Sequence, residues 1–151
     1  METNPIITRP KIGQLFLPDL KSPQPEGADK IIFMVDDSVS LRMLIRRIVQ
    51  KGHPEWKVLE AGNGVEALAH REEMASADLF IIDLEMPKMD GLGLVKRLVL
   101  DPELRDKPFI IFSGICPGDM QDAVGNKKNV EYLEKPCTPA KVLEKIHALL
   151  P

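Results

Sequence analysis

The chain has 151 residues, of which 44% are hydrophobic and 28% charged, and its formal net charge is −3. This length fits one domain with a substantial core and is too short for two full-sized domains. The slightly acidic balance excludes a large basic field for nucleic acid, and no apolar run is long enough to span a membrane.

The first residues lack the apolar core of a secretory signal. Because Cys116 and Cys137 have no CxxC spacing, we expect free thiols in a cytoplasmic protein. The three histidines, His53, His70 and His147, stand singly in the sequence, which argues against a zinc site.

Residues 1–29 differ in character from the rest, with five prolines and no helical or strand period. Residues 21–27 are typical of a linker. We therefore predict an N-terminal extension at 1–29, followed by one domain at 30–151. The apolar stretch at 15–20 leaves two alternatives open, a loose tail and a partly ordered segment.

From Lys30 onwards, short apolar runs alternate with helix-like stretches five times. The predicted strands are residues 31–35, 56–61, 79–82, 109–112 and 130–134. Unbroken apolar runs of this length indicate parallel strands buried on both faces. Alternating strands and helices predict an α/β fold with a right-handed, doubly wound parallel sheet.

Helix boundaries are marked by capping residues. Ser38 and Thr138 are predicted N-caps of the first and last helices, with Pro139 at the first helical position. Gly52 marks the end of the first helix, and a second helix is predicted to end near Met74. The segment of the fourth helix, between strands four and five, contains Pro117, Gly118 and Gly125, so we expect this helix to be short or mobile.

Polar residues stand where four of the apolar runs end. Asp36 and Asp37 follow the first strand, Asp83 the third, Ser113 the fourth and Lys135 the fifth. The carboxyl ends of parallel strands meet at one edge of the sheet, so these residues are expected to converge. Three carboxylates together repel each other unless a cation joins them, and an all-oxygen site suits Mg²⁺.

A cation beside a free carboxylate oxygen also suits phosphoryl transfer. The ammonium of Lys135 and the metal would neutralise charge while a carboxylate attacks, and Ser113 could donate a hydrogen bond to a phosphoryl oxygen. The alternative is that the aspartates merely cap helices. Polar residues stand at the ends of four separate strands, which argues against helix capping as their only role.

These motifs resemble the receiver domain of two-component response regulators, over residues 30–150. The resemblance rests on the runs VDDS at 35–38, DLEMPKMDG at 83–91, SG at 113–114 and YLEKP at 132–136. It implies a flavodoxin-like fold with five helices and strand order 2-1-3-4-5.

The resemblance also implies the chemistry of the site. Asp83 would accept a phosphoryl group from a histidine kinase or phosphotransfer protein in a phosphorelay. Asp37, Asp83 and the backbone carbonyl of Glu85 would ligate Mg²⁺, with Asp36 helping through water. The Glu85 side chain has two open orientations, outward to solvent or towards the metal.

Three further residues acquire roles from the same resemblance. Ser113 and Lys135 would bind the phosphoryl group. Tyr132 would be a switch residue that moves inward as Ser113 shifts.

The leading hypothesis is thus a non-enzymatic signalling module, without an output domain because the sequence ends just after the fifth helix. It would contact a downstream protein through the fourth helix, fifth strand and fifth helix, as a monomer or weak dimer, without binding nucleic acid or membrane.

One alternative is a receiver-like interaction protein that does not use phosphorylation. Another is a Mg²⁺-dependent phosphatase, but adjacent Asp36 and Asp37 point to opposite faces of a strand instead of forming its DxD pair.

Overall fold

The structure, a computed structural model, describes residues 29–86, 88–114, 122, 124, 125 and 127–151. The predicted N-terminal extension, Cys116 and most of the fourth predicted helix lie outside the described residues. The strands are β1 (Ile31–Val35), β2 (Lys57–Ala61), β3 (Leu79–Asp83), β4 (Phe109–Ser113) and β5 (Val130–Glu134). The helices within the described residues are α1 (Val39–Gly52), α2 (Gly64–Ala69), α3 (Arg71–Ser76), α4 (Gly91–Leu100) and α5 (Pro139–Leu149).

The five strands form one parallel sheet in the order β2-β1-β3-β4-β5. The predicted fold class and strand order are therefore confirmed. The predicted strand boundaries differ at three ends. β2 begins at Lys57, and β3 and β4 extend to include Asp83 and Ser113.

Every residue of β3 and of β4 is buried. Successive side chains of a strand point to opposite faces, so these strands feed two separate apolar clusters. One cluster contains residues of α2, α3 and α4, such as Ala67, Met74 and Leu94. The other contains residues of α1 and α5, such as Ile48 and Ile146. The sheet is thus covered by helices on both faces, which leaves its carboxyl edge as the place for polar side chains.

The predicted caps are present. Ser38 accepts a hydrogen bond from the backbone N–H of Leu41 at 3.3 Å, and Thr138 accepts one from Lys141 at 3.2 Å. A side-chain acceptor at the N-cap binds one of the N–H groups that have no partner inside the helix. These two caps begin α1 and α5 just beyond the carboxyl edge of the sheet.

The prediction of a single helix ending near Met74 is wrong. The chain instead forms α2 and α3, which are separated at His70, whose φ of −103° and ψ of 42° lie outside the helical range. The break turns Met74 into the core while Arg71 reaches Asp101 at 2.8 Å on the surface. Within the described residues, no helix has both the length and the apolar character needed to cross a bilayer.

Candidate functional site

The carboxyl edge of the sheet carries a cluster of three carboxylates. Asp36 and Asp37 follow β1, and Asp83 is the last residue of β3, next to β1 in the sheet. Ligand oxygens from all three lie within 4.8 Å of one another. The convergence expected from the strand ends is thus present, and we call these residues the carboxylate cluster.

Two members of the carboxylate cluster are deeply buried. Asp36 is 0% exposed and Asp83 is 2% exposed, whereas Asp37 is exposed. Asp36 accepts a hydrogen bond from the backbone N–H of Ser38 at 2.8 Å, and Asp83 accepts one from Glu85 at 3.1 Å. These backbone donors orient the buried carboxylates and leave Asp37 at the open side of the cluster.

Lys135 brings a positive charge into the cluster from β5. Its Nζ lies 3.2 Å from Oδ2 of Asp36 and 3.2 Å from Oδ1 of Asp83. The same ammonium lies 4.8 Å from the centre of the Phe112 ring, a cation–π distance. One ammonium offsets only part of the charge of three carboxylates, so the cluster remains an attractive site for a cation.

Burial and neighbouring charges shift the pKa values of Asp83 and Lys135. The pKa of Asp83 is raised, chiefly by burial and further by Asp36, against the opposing hydrogen bond from Glu85 and the charge of Lys135. Burial by itself would lower the pKa of Lys135, but the two carboxylates outweigh it and raise that pKa. Lys135 therefore stays protonated, and Asp83 favours its neutral form more than a solvated carboxyl does.

The donor set fits a hard divalent cation. Carboxylate oxygens within 4.8 Å of one another, one of them exposed, match the all-oxygen coordination and retained waters of Mg²⁺. The Glu85 side chain is exposed, as is that of Asp37 within the cluster.

Ser113, the last residue of β4, and Tyr132 of β5 lie on one face of the sheet. Tyr132 pairs with Ile111, two residues before Ser113, so strand alternation places both side chains on the same face. Ser113 is 5% exposed and Tyr132 is 37% exposed. Both line a cavity of about 300 Å³ together with Ile111, Leu133 and Glu134.

The loop after β3 depends on Gly91. Its backbone N–H donates to the carbonyl of Leu84 at 3.2 Å. A Cβ at this position would lie 2.1 Å from the carbonyl oxygen of Asp83. Only glycine lets α4 begin this close to the strand that carries Asp83.

Arg42 is a supporting residue that the sequence motifs did not indicate. Its guanidinium donates to the backbone carbonyl of Asp36 and to the carboxylate of Glu60, which lies 3.2 Å away. Glu60 also binds Arg46 at 2.6 Å. The carboxylate partner of Arg42, Glu60, is on β2, so no local spacing in the sequence could have identified this contact.

Comparisons with known proteins agree on one family. The family model described as the response regulator receiver domain matches residues 32–147. The chemotaxis protein CheY1 of Helicobacter pylori is 33% identical over 121 residues, covering 79% of this chain and 95% of that protein. The cyclic di-GMP phosphodiesterase response regulator RpfG of Xanthomonas campestris is 32% identical over 119 residues, and the match spans 31% of its length.

Solved structures are similar over most of the chain. The chemotaxis protein CheY4 of Vibrio cholerae superposes with a TM-score of 0.70 at 25% identity, covering 81% of this chain and 99% of that one. The phosphorylated cyanobacterial phytochrome response regulator RcpA has a TM-score of 0.65 at 23% identity, covering 81% and 91% of the two chains, and supports the fold alone.

Proposed function

Since the chain belongs to the response regulator receiver family, we propose that Asp83 is the residue on which it accepts a phosphoryl group. Receiver domains act in two-component signalling, where acceptance of a phosphoryl group is typical of the family. The observation that carries the assignment is the buried Asp83 carboxylate, held 3.2 Å from the ammonium of Lys135 beside two further carboxylates.

In the proposed reaction, an oxygen of Asp83 attacks the phosphorus of a phosphorylated histidine. The P–O bond forms as the P–N bond breaks, and the leaving imidazole takes up a proton. The Lys135 ammonium and the Ser113 hydroxyl would then contact the oxygens of the transferred group, where they stabilise negative charge.

The residues that would hold Mg²⁺ are Asp37, Asp83 and the backbone carbonyl of Glu85, with Asp36 acting through water. When bound, the ion supplies charge neutralisation at the phosphoryl oxygens. The exposed carboxylate of Asp37 leaves the entry side open, while the backbone N–H donors to Asp36 and Asp83 keep the two buried carboxylates in place.

The proposed donor is a histidine kinase or a phosphotransfer protein, the partners with which receiver domains interact. The proposed output is a change in protein contacts on the face formed by the fourth predicted helix, β5 and α5. Ser113 would move towards the phosphoryl group, and Tyr132 would use the cavity beside it. The receiver domain would comprise residues 30–151, acting in the cytoplasm as a non-enzymatic module after an extension at 1–29.

The experiment is incubation with acetyl phosphate and Mg²⁺, followed by intact mass measurement. We expect one phosphoryl adduct on the wild type and none on Asp83→Asn. Asp90→Asn is the matched control, because Asp90 lies in the same loop but caps α4. An adduct on Asp83→Asn would overturn the acceptor assignment. No adduct on the wild type would favour a phosphorylation-independent interaction protein, and repeated turnover of phosphate esters would favour a phosphatase.

A further inference from the structure

Two histidines that are 94 residues apart in the sequence meet at the edge of the sheet opposite the carboxylate cluster. His53 follows the last residue of α1, and His147 lies in the last turn of α5. Their Nε2 atoms are 2.8 Å apart and share one hydrogen bond, and the rings cross at 84°. Two histidines that stand far apart in the sequence are therefore in contact in the folded protein.

We propose that His53 and His147 form a second metal site, which takes a transition-metal ion of the Cu²⁺, Ni²⁺ and Zn²⁺ class. Imidazole nitrogen suits these ions, whereas Mg²⁺ prefers oxygen ligands. The site is chemically distinct from the carboxylate cluster, and it does not depend on phosphorylation.

Packing fixes the His53 ring and the backbone that carries His147. The backbone N–H of His53 donates to the carbonyl of Val49 at 2.8 Å, and its ring stacks on Trp56 at 3.8 Å with planes 9° apart. Trp56 is only 7% exposed, and Ile146, next to His147, is fully buried. The core thus holds one ring and the backbone of the other, so binding an ion has to order only the exposed His147 side chain.

The surroundings of Nδ1 in His53 support a ligand role for Nε2 of the same ring. Nδ1 of His53 lies 3.6 Å from the carboxylate of Glu55, which favours the tautomer with its proton on Nδ1. The lone pair of the neutral ring is then on Nε2, which faces His147. At 3.6 Å the carboxylate is slightly beyond hydrogen-bond length, so it has to approach by a few tenths of an ångström to orient the ring as carboxylates orient metal-binding imidazoles.

The separation of the nitrogens is close to that of adjacent ligands on one ion. With metal–nitrogen bonds of about 2.0–2.1 Å, a right angle at the metal separates two nitrogens by about 2.9 Å and a tetrahedral angle by about 3.3 Å. The observed 2.8 Å is nearer to the right angle of tetragonal Cu²⁺ and Ni²⁺ sites. On binding, the ion replaces the hydrogen bond between the rings, and the proton of His147 moves from Nε2 to Nδ1. The exposed His147 ring has to tilt so that both lone pairs converge, and water would complete the coordination.

Trp56 provides the readout, because it is the only tryptophan in the chain and stacks on His53. Cu²⁺ is titrated into the full chain at a pH where histidine side chains are neutral, with Mg²⁺ in excess to occupy the carboxylate cluster. We expect saturable quenching of Trp56 fluorescence that a chelator reverses. Zn²⁺, which does not quench, should raise the unfolding temperature by tying α1 to α5.

The variants separate this site from adventitious binding. His147→Gln leaves the stack of His53 on Trp56 intact and should abolish saturable quenching. Glu55→Gln should weaken Cu²⁺ binding by about tenfold or more, as loss of an orienting carboxylate does. His70→Gln should behave as wild type, although His70 also lies near a carboxylate, that of Glu73 at 3.4 Å.

Two results would overturn the proposal. One is quenching of His147→Gln at the same Cu²⁺ concentration as the wild type, and the other is no saturable quenching of the wild type. His147 is exposed, so the variant is expected to fold, and its thermal unfolding in chelator is compared with the wild type to verify this.

Discussion

The ammonium of Lys135 lies 3.2 Å from the carboxylate of Asp83, although the two residues come from strands that are not neighbours in the sheet. Asp83 ends β3 and Lys135 follows β5, with β4 between them. Lys135 reaches across the end of β4, over the ring of Phe112, and also contacts Asp36 at 3.2 Å. This one ammonium is therefore shared by two buried carboxylates.

Replacing Lys135 with glutamine should destabilise the metal-free protein by about 1–3 kcal/mol. Two buried carboxylates lose their shared cation, and the cost stays below that of breaking a fully buried pair because the Lys135 side chain is 26% exposed. The rise in unfolding temperature on adding Mg²⁺ should be larger than in the wild type, since the ion no longer competes with an ammonium. Thermal unfolding in chelator and in Mg²⁺ measures both effects.

Lys141→Gln is the control for that change, because Lys141 pairs with Glu144 at 3.0 Å on the surface. Exposed pairs of this kind contribute about 0.5 kcal/mol or less. Equal destabilisation by the two substitutions would contradict a special role for Lys135.

Asp83→Asn should stabilise the metal-free protein at neutral pH. The pKa of Asp83 is raised by burial above its ordinary 3.8, so the folded state binds this proton more tightly than the unfolded state. The protonated Asp83 side chain stabilises the folded protein fully below pH 3.8. This contribution to the free energy of unfolding falls as the pH rises through the raised pKa, and it is absent at neutral pH. The advantage of the asparagine variant should therefore shrink as the pH is lowered towards 3.8, as measured by denaturant unfolding in chelator.

Asp101→Asn should show the opposite pH dependence. The pKa of Asp101 is lowered by the backbone N–H of Glu103 and by Arg71, so its ionised form stabilises the folded protein above pH 3.8. This variant should be the less stable one at neutral pH and should match the wild type in acid. A constant difference between Asp83→Asn and the wild type at every pH would refute the assigned pKa shift.

Gly91→Ala should destabilise the protein by about 1–3 kcal/mol and weaken Mg²⁺ binding. The added Cβ would lie 2.1 Å from the Asp83 carbonyl oxygen and 2.7 Å from Cα of Leu84, so the backbone beside the cluster must move. Calorimetric Mg²⁺ titration and thermal unfolding measure the two effects. In the control Gly52→Ala, the new Cβ meets Leu143 at an ordinary 3.6 Å, and both quantities should stay near wild type.

Arg42→Ala should weaken Mg²⁺ binding by about tenfold, through loss of the contact that holds the Asp36 carbonyl. Arg46→Ala is the matched variant, since Arg46 binds the same Glu60 from farther along α1 with 44% of its side chain exposed. Arg46→Ala should leave the Mg²⁺ affinity unchanged within about twofold. Equal losses in the two variants would show that the positive charge on α1 sets the Mg²⁺ affinity, and not the contact of Arg42 with the Asp36 carbonyl.

Local features of the sequence were sufficient to predict most of the secondary structure. An apolar run such as residues 109–112 predicts a buried strand because side-chain alternation and burial are properties of neighbouring residues. Ser38 and Thr138 predict helix starts because a cap contacts residues three positions away. The split between α2 and α3 at His70 was missed, because the apolar spacing on either side of it fits one continuous helix as well as two short ones.

Strand-end positions also predicted that Asp36, Asp83, Ser113 and Lys135 meet at one edge. The contacts within that edge were decided by the tertiary structure. The ion pair of Lys135 with Asp36 spans 99 residues, and its geometry depends on strand order and register. The same holds for Arg42 with Glu60 and for His53 with His147. A sequence pattern records which side chains are buried and how often they repeat, whereas the partner of a polar side chain is set by which distant segments the packed core brings together.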